Sequence, residues 1–196
     1  MNVGWIMERA ERYLHRDDFS NEDFDTALEA TAIDIGAMLQ SPENEVVLVV
    51  ASGDPNPVVL PARAKRVRYV AVQQTGGPEM LQSKSYGYVL EWMNAGGIPA
   101  FYNVKGRELL VSPNGTQQRT ITYWEQPEEV SVTGVQTNAV LTAYPMMYLY
   151  RVLAECCKIT QDLELVAGYE SEFARRVETI NGELWQQGAA QSASRG

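Results

Sequence analysis

Apolar residues recur at helical spacing twice near the start of the chain. Val3, Ile6, Met7, Ala10, Tyr13 and Leu14 form one set, and Phe24, Ala27, Leu28, Ala32, Ile35 and Leu39 form another. Two amphipathic helices are therefore expected between residues 3 and 40. Polar residues 15–21 separate them, and Ser20 followed by Asp23 has the form of a capping box, in which hydroxyl and carboxylate each accept a free amide hydrogen at a helix start. Pro42 is expected to close the second helix.

From Glu45 to about Gln126 the helical period gives way to short runs rich in β-branched and aromatic residues, bounded by Gly, Pro or Asn: EVVLVVAS, VRYVAVQQ, AFYNV, RELLVS and QRTITYWE. These predict about five strands, a common size for a small sheet. Lys105-Gly106 and Pro113-Asn114-Gly115 supply the backbone positions that tight hairpins need, so an antiparallel meander is expected. One stretch, SYGYVLEWMNAGG, places Tyr86, Val89, Leu90 and Met93 at helical spacing before Gly96-Gly97, which predicts a short helix inside the β region.

The helical period returns after a polar connection. Pro145 falls where a first helical turn tolerates a missing amide hydrogen. Leu149, Val152, Leu153, Cys156, Ile159, Leu163, Val166, Phe173, Val177, Ile180 and Leu184 trace an apolar stripe, with a break expected near residues 158–162. From Gln186 the chain, QQGAAQSASRG, carries little to bury and is expected to be disordered when free. The fold class is thus α+β. A helical bundle is built from an N-terminal helix pair (1–42) and long C-terminal helices (131–184), with an inserted antiparallel β-sheet module (43–130) and a flexible tail (185–196).

Composition narrows the function classes. With 45% apolar residues in 196, the chain can bury a genuine core. Its longest near-continuous apolar run, residues 46–51, is far short of the ~20 residues a membrane helix needs. The start, MNVGWIMERAERY, has acids where a signal peptide would be apolar, so a cytoplasm-like compartment is expected. Cys156 and Cys157 are adjacent and close no loop between them. A net charge of -9 argues against a duplex-gripping groove, which needs clustered Lys and Arg.

No chemistry-bearing constellation emerges. His15 is the single histidine, and its neighbours Arg16, Asp17 and Asp18 read as a solvated helix end. The two cysteines lack the partners of a four-ligand metal set and read as small buried hydrophobes. The acidic run DDFSNEDFD lacks the central glycine and distal glutamate of a calcium loop, and the helix dipole accounts for acids at that helix start. Gly76-Gly77 and Gly96-Gly97 stand in neither phosphate-loop pattern, and Asn114-Gly115-Thr116 reads as a turn. No catalytic, cofactor-binding or metal-ligating residue is expected. What stands out is amphipathic surplus: Tyr144 with Tyr148, and Met146 with Tyr150, surround more of one helix than a single core needs, which marks these four as subunit-interface candidates.

Several stretches together resemble the head-to-tail adaptor, or head-completion, proteins of tailed bacteriophages, especially short-tailed ones. They are the leading helix pair, VVLPARAKRVRYVAV, GIPAFYNVKGRELLVSP, TITYWEQPEEV, and the run from TNAVLTAYPMMYLYRVL to ARRVETIN, in this order. The resemblance spans about residues 3–181. It includes the Pro99 and Tyr102 step, the strand ending Ser112-Pro113, Tyr123-Trp124, Asn138 before Tyr144-Pro145, and the Asp162 and Glu164 pair. Where such proteins usually carry an acidic or small residue before that proline, this chain has Tyr144.

The resemblance implies a non-enzymatic virion protein of the neck, present in the host cytoplasm before assembly. It implies a homo-oligomeric ring of about twelve copies that binds beneath the portal protein and extends the DNA channel towards a tail, nozzle or stopper protein. Genomic DNA would pass without sequence-specific binding, aided by an acidic lining that repels phosphates. The C-terminal tail would order on the portal, with Leu184, Trp185, Gln186, Gln187 and Arg195 as docking candidates and Trp185 as the aromatic anchor. Two other readings remain at this level: a stopper or tail terminator that binds the tail tube, and a hydrolase using His15 with Asp17 and Asp18.

Overall fold

The computed structural model describes the backbone of residues 1–193 and the side chains of residues 1–183. In chain order the elements begin with α1 (Val3–Leu14), α2 (Asn21–Met38), a 3-10 turn (Pro42–Asn44), β1 (Glu45–Val50), β2 (Val58–Val59) and β3 (Ala64–Gln74). They continue with β4 (Gly77–Met80), β5 (Gln82–Ser83), α3 (Tyr86–Glu91), β6 (Phe101–Lys105), β7 (Glu108–Ser112) and β8 (Arg119–Glu125). The last are α4 (Ala139–Ala143), α5 (Pro145–Ile159) and α6 (Leu163–Ala193). The architecture is mixed α and β, with six helices and two small sheets among the described residues. The chain forms two compact units, one of residues 1–44 and 126–196, the other of residues 45–125.

In the helical unit each start is set by a local cap. Asn2 accepts from the amide of Trp5 at 3.1 Å and opens α1. The expected capping box opens α2: the Asp23 amide donates to Ser20 Oγ at 3.1 Å, and the Ser20 amide donates to Asp23 Oδ2 at 2.9 Å. Pro145 occupies the first turn of α5. His15, in the left-handed region at φ 51°, ends α1, and Gln161, at φ 60°, sits in the break between α5 and α6. The second helix ends at Met38, before Pro42, which instead begins the 3-10 turn; Leu39 caps it in extended backbone and stays buried.

The core of this unit joins Val3, Ile6 and Ala10 of α1 to Phe24, Leu28 and Ile35 of α2 and to Leu149, Val152, Leu153 and Cys156 of α5. Phe173 and Val177 bring α6 into the same cluster. Burying each such side chain contributes roughly 1.5–3 kcal/mol. Asp25 of α2 accepts from the amide of Val132 at 2.7 Å and so ties down part of the polar connection that leads to α4. At Gly36 the chain passes so close that an added Cβ would lie 2.9 Å from Cα of Gln126.

The β unit differs from the expected meander. The five predicted strands are present as β1, β3, β6, β7 and β8, joined by the short β2, β4 and β5. They form two four-stranded sheets, ordered β1-β8-β3-β4 and β2-β7-β6-β5, and β5 pairs parallel to β6. The tight turn expected at Lys105-Gly106 is present between β6 and β7, formed by Gly106 and Arg107 after the last β6 residue, Lys105, with Gly106 at φ 62°. The Pro113-Asn114-Gly115 turn does not make a hairpin: it leads from β7 in one sheet to β8 in the other. The reason is burial. Alternating strands have one apolar face each, and two sheets cover those faces mutually where a single meander would leave them wet. Val50, Val70, Val72, Ile121 and Tyr123 from the first sheet meet Val58, Tyr102, Leu109 and Val111 from the second. The short helix expected around residue 86 is α3, capped by Ser85.

Of the stretch expected to be a flexible tail, 185–196, the backbone to Ala193 belongs to α6, while its side chains and residues 194–196 lie outside the described residues. Replacing Gly36 by Val is expected to lower stability by roughly 2–3 kcal/mol, read as a shift in the urea midpoint at unchanged slope, because the new side chain meets backbone, which cannot swing aside.

Candidate assembly surfaces

The residues weighed for catalysis are not brought together. His15 is exposed at the end of α1, and its imidazole has no hydrogen-bond partner among the described residues. Asp18 is held by Arg16 through two hydrogen bonds of 2.8 Å and 2.6 Å, which keep its carboxyl below the usual range. Among the described residues no three His, Cys, Asp or Glu side chains are grouped to hold a metal ion, and no helix is long and apolar enough to cross a membrane. Cys156 and Cys157 are free and buried in α5; burial pushes the Cys156 thiol up to about 12 and raises that of Cys157.

The four α5 candidates divide. Tyr148 is fully enclosed by its own chain, so its side chain has no area to offer a neighbour. Asn138 Nδ2 reaches its hydroxyl at 3.5 Å, and burial pushes the phenol up to about 12. Tyr144 is half-buried and donates to Glu43 Oε2 at 2.7 Å; burial and that carboxylate push it up to about 12. Met146 and Tyr150 are partly buried against the helical core, and Tyr150 lies 6.3 Å from the Tyr169 ring with Arg176 at 4.8 Å. Most of the apparent surplus on α5 is therefore used inside the unit. The portal-docking candidates Leu184, Trp185, Gln186 and Gln187 have side chains outside the described residues, as does Arg195 entirely.

A polar cluster in the same place was not foreseen. Arg151 sits on α5 with its side chain only 10% exposed. It donates from Nε to Asp34 of α2 at 2.6 Å, pairs with Glu155 one turn on, and reaches Glu170 of α6 at 3.4 Å. Lys158 completes the group, 2.9 Å from Glu155 and 2.8 Å from Glu170. The hydrogen bond from Lys158 holds Glu170 below the usual carboxylate range, and Glu170 in turn raises Lys158. The i,i+4 spacing of Arg151 and Glu155 was visible in the sequence, but Asp34 and Glu170 lie too far along the chain for any periodicity to reveal.

Among the described residues, apolar side chains stay open in three places that bear on assembly. The first is the outer face of the β1-β8-β3-β4 sheet. There Val49, Thr120, Ala71 and Met80 form one cross-strand row, and Val47, Thr122 and Tyr69 the next, with no charge in either. Val47, Val49 and Met80 are exposed, whereas Ala71 and Thr122 in the same rows are buried. The second lies on α3 and β6, where Tyr88, Trp92 and Phe101 pack edge to face or stacked at 5.1–6.2 Å. Tyr86, Leu90, Trp92 and Ile98 are exposed around them. The third is the α5–α6 corner, where Ile159, Leu163 and Leu165 are exposed, Leu163 by 70%. The sequence stripe placed Ile159 and Leu163 inside. The left-handed Gln161 turns the chain between them, so the stripe does not run on across the corner. Leu163 and Leu165 stand two apart, about 200° around a helix, and could not both have faced the core.

Open apolar faces stand on both units among the described residues, the kind of surface at which proteins meet other proteins. The family model described as SU10 adaptor protein matches residues 1–196, and the chain belongs to that family. It is accordingly a structural phage adaptor, a class of neck proteins of the virion and not of enzymes. No curated protein matches the chain significantly.

The charge cluster of α5 sets two expectations. Arg151→Met is expected to cost about 2–3 kcal/mol, less than a fully buried pair would, because Asp34 and Glu170 can partly rehydrate. Glu170, depressed in the fold, stabilises fully above its ordinary value of 4.5 and loses that contribution as pH falls through its lower folded value. The stability difference between wild type and Glu170→Gln, from urea unfolding, is thus expected to be flat above pH 4.5 and to shrink below it.

Proposed function

We propose that this chain is a head-to-tail adaptor, or connector, that assembles as a ring of about twelve copies on the portal, extends the DNA channel and joins head to tail. Membership of the adaptor family along the whole chain is the observation that carries this reading. Exposed apolar surface on each of two units supports it, since a ring member needs separate contacts for its neighbours and for the proteins above and below. In this reading the helical unit is a bundle that forms the ring body, and residues 184–187 with Arg195 dock on the portal, Trp185 as anchor. Tyr144, Met146 and Tyr150 contribute their remaining exposed edges to the ring. The net charge of -9 suits a channel through which duplex DNA slides, because a phosphate-binding lining would create barriers to movement.

Electron microscopy of purified portal incubated with the protein is the test. A ring of density on the portal is expected, and deletion of residues 183–196 is expected to abolish it while shifting thermal unfolding little. An undecorated portal, with binding to tail tube instead, would transfer the protein to the stopper or tail-terminator class. Decoration by the shortened chain would remove the tail from the docking surface.

A further inference from the structure

Two of the open surfaces each expose apolar side chains and are opposite in charge. At the α5–α6 corner, Leu163 is the most exposed large hydrophobic side chain among the described residues, at 70%, and it stands between Asp162 and Glu164. Neither carboxylate lies within ion-pair distance of a cation among the described residues, although the chain pairs many of its other acids. The corner exposes Ile159, Leu163 and Leu165, with an acid on either side of Leu163.

The surface on α3 and β6 has the opposite character. Helix α3 buries only Val89 and leaves Tyr86 and Leu90 open, with Trp92 just beyond its end exposed by 44%. Lys84 lies 5.8 Å from the Tyr88 ring and 6.0 Å from the Phe101 ring, and Lys105 lies 4.6 Å from Tyr86. Neither lysine meets a carboxylate within ion-pair distance among the described residues. On a chain with 25 acids against 16 Lys and Arg, two unpaired lysines on one aromatic surface are a local reversal of charge. Trp and Tyr with flexible cations at the rim are the composition of an interface hot spot.

We propose that these surfaces meet between copies: the corner of one copy seats Leu163 against Trp92 and Tyr86 of a second copy, with Asp162 and Glu164 meeting Lys84 and Lys105. The occupant is a second copy because the same chain carries both halves of the match. Nucleic acid is disfavoured, since an acid-flanked leucine repels phosphate and a duplex offers no free bases to stack on the rings. Each copy uses one surface on one side and the other on the next, a heterologous contact that closes into a ring or runs on as a filament. The corner lies in the helical unit and the aromatic surface in the β unit, so each unit's exposed apolar group is covered by a neighbour's other unit. This contact rests on the ring reading above for its biological setting, but it is testable without the portal.

The experiment uses two full-length variants. Leu163→Asp disables the corner, and Lys84→Glu with Lys105→Glu disables the aromatic surface; all three side chains are solvent-accessible, and an unchanged unfolding midpoint confirms each fold. Alone, each variant is expected to lose ring closure. Mixed one to one at the highest soluble concentration, they are expected to give heterodimers and nothing larger by sedimentation velocity, because only one surface pair remains intact. A charge exchange, Asp162→Lys and Glu164→Lys combined with both lysine-to-glutamate changes, is expected to restore assembly. Should a variant unfold, Asp162→Lys with Glu164→Lys for the corner and Trp92→Ala for the aromatic surface replace it. Absence of heterodimers, or rings that close as in wild type despite either variant, overturns the contact. Portal decoration by wild type is scored separately: its failure counts against the adaptor reading and leaves the heterodimer result to decide this one.

Discussion

Helix α5 has to be covered on nearly every side, and the helical unit is arranged to satisfy that demand. Met147, Tyr148, Leu149, Val152, Leu153, Ala154, Cys156 and Cys157 all lose their solvent, a spread of positions far wider than the stripe of a surface helix. Helices α1, α2, α4 and α6 each pack on it. One helix sheathed by four others encloses most of the Arg151 side chain, which reaches out to acids on two neighbours. The cluster ties α5 to both α2 and α6 through ion pairs.

The helical elements were largely legible because the signals that start and stop them are local. Ser20 and Asp23 announced α2 with one box, and residues 160–162 announced the gap between α5 and α6. The strands were legible one by one for the same reason. Their arrangement was not. Strand β8 pairs with β1 and β3, more than 45 residues earlier in the chain, and whether the turn at Pro113 folds a strand back or carries it across to another sheet depends on which apolar face still needs cover. Those are long-range energies that a reading of neighbours does not contain.

The exposed apolar residues were not legible in position. Surplus was expected on α5, but Tyr148 is interior, and the open residues are Leu163 and Leu165 at a corner and Trp92 beyond a six-residue helix. A stripe counted along the sequence assumes an unbroken axis, and a single left-handed residue at Gln161 resets it. The opposite charge of the exposed groups around Leu163 and around Tyr88 could be noticed only once exposure was known, because the sequence alone does not separate open positions from covered ones.

The two cysteines carry a practical corollary. Sealed in α5, with thiols that resist ionisation, they are poor targets for maleimides and other alkylating reagents, which attack the thiolate. The native chain is therefore a silent background for labelling chemistry: a lone cysteine introduced on any outer face would take up a fluorophore or spin label by itself, and distances from it could be mapped without first stripping the protein of its own sulfur.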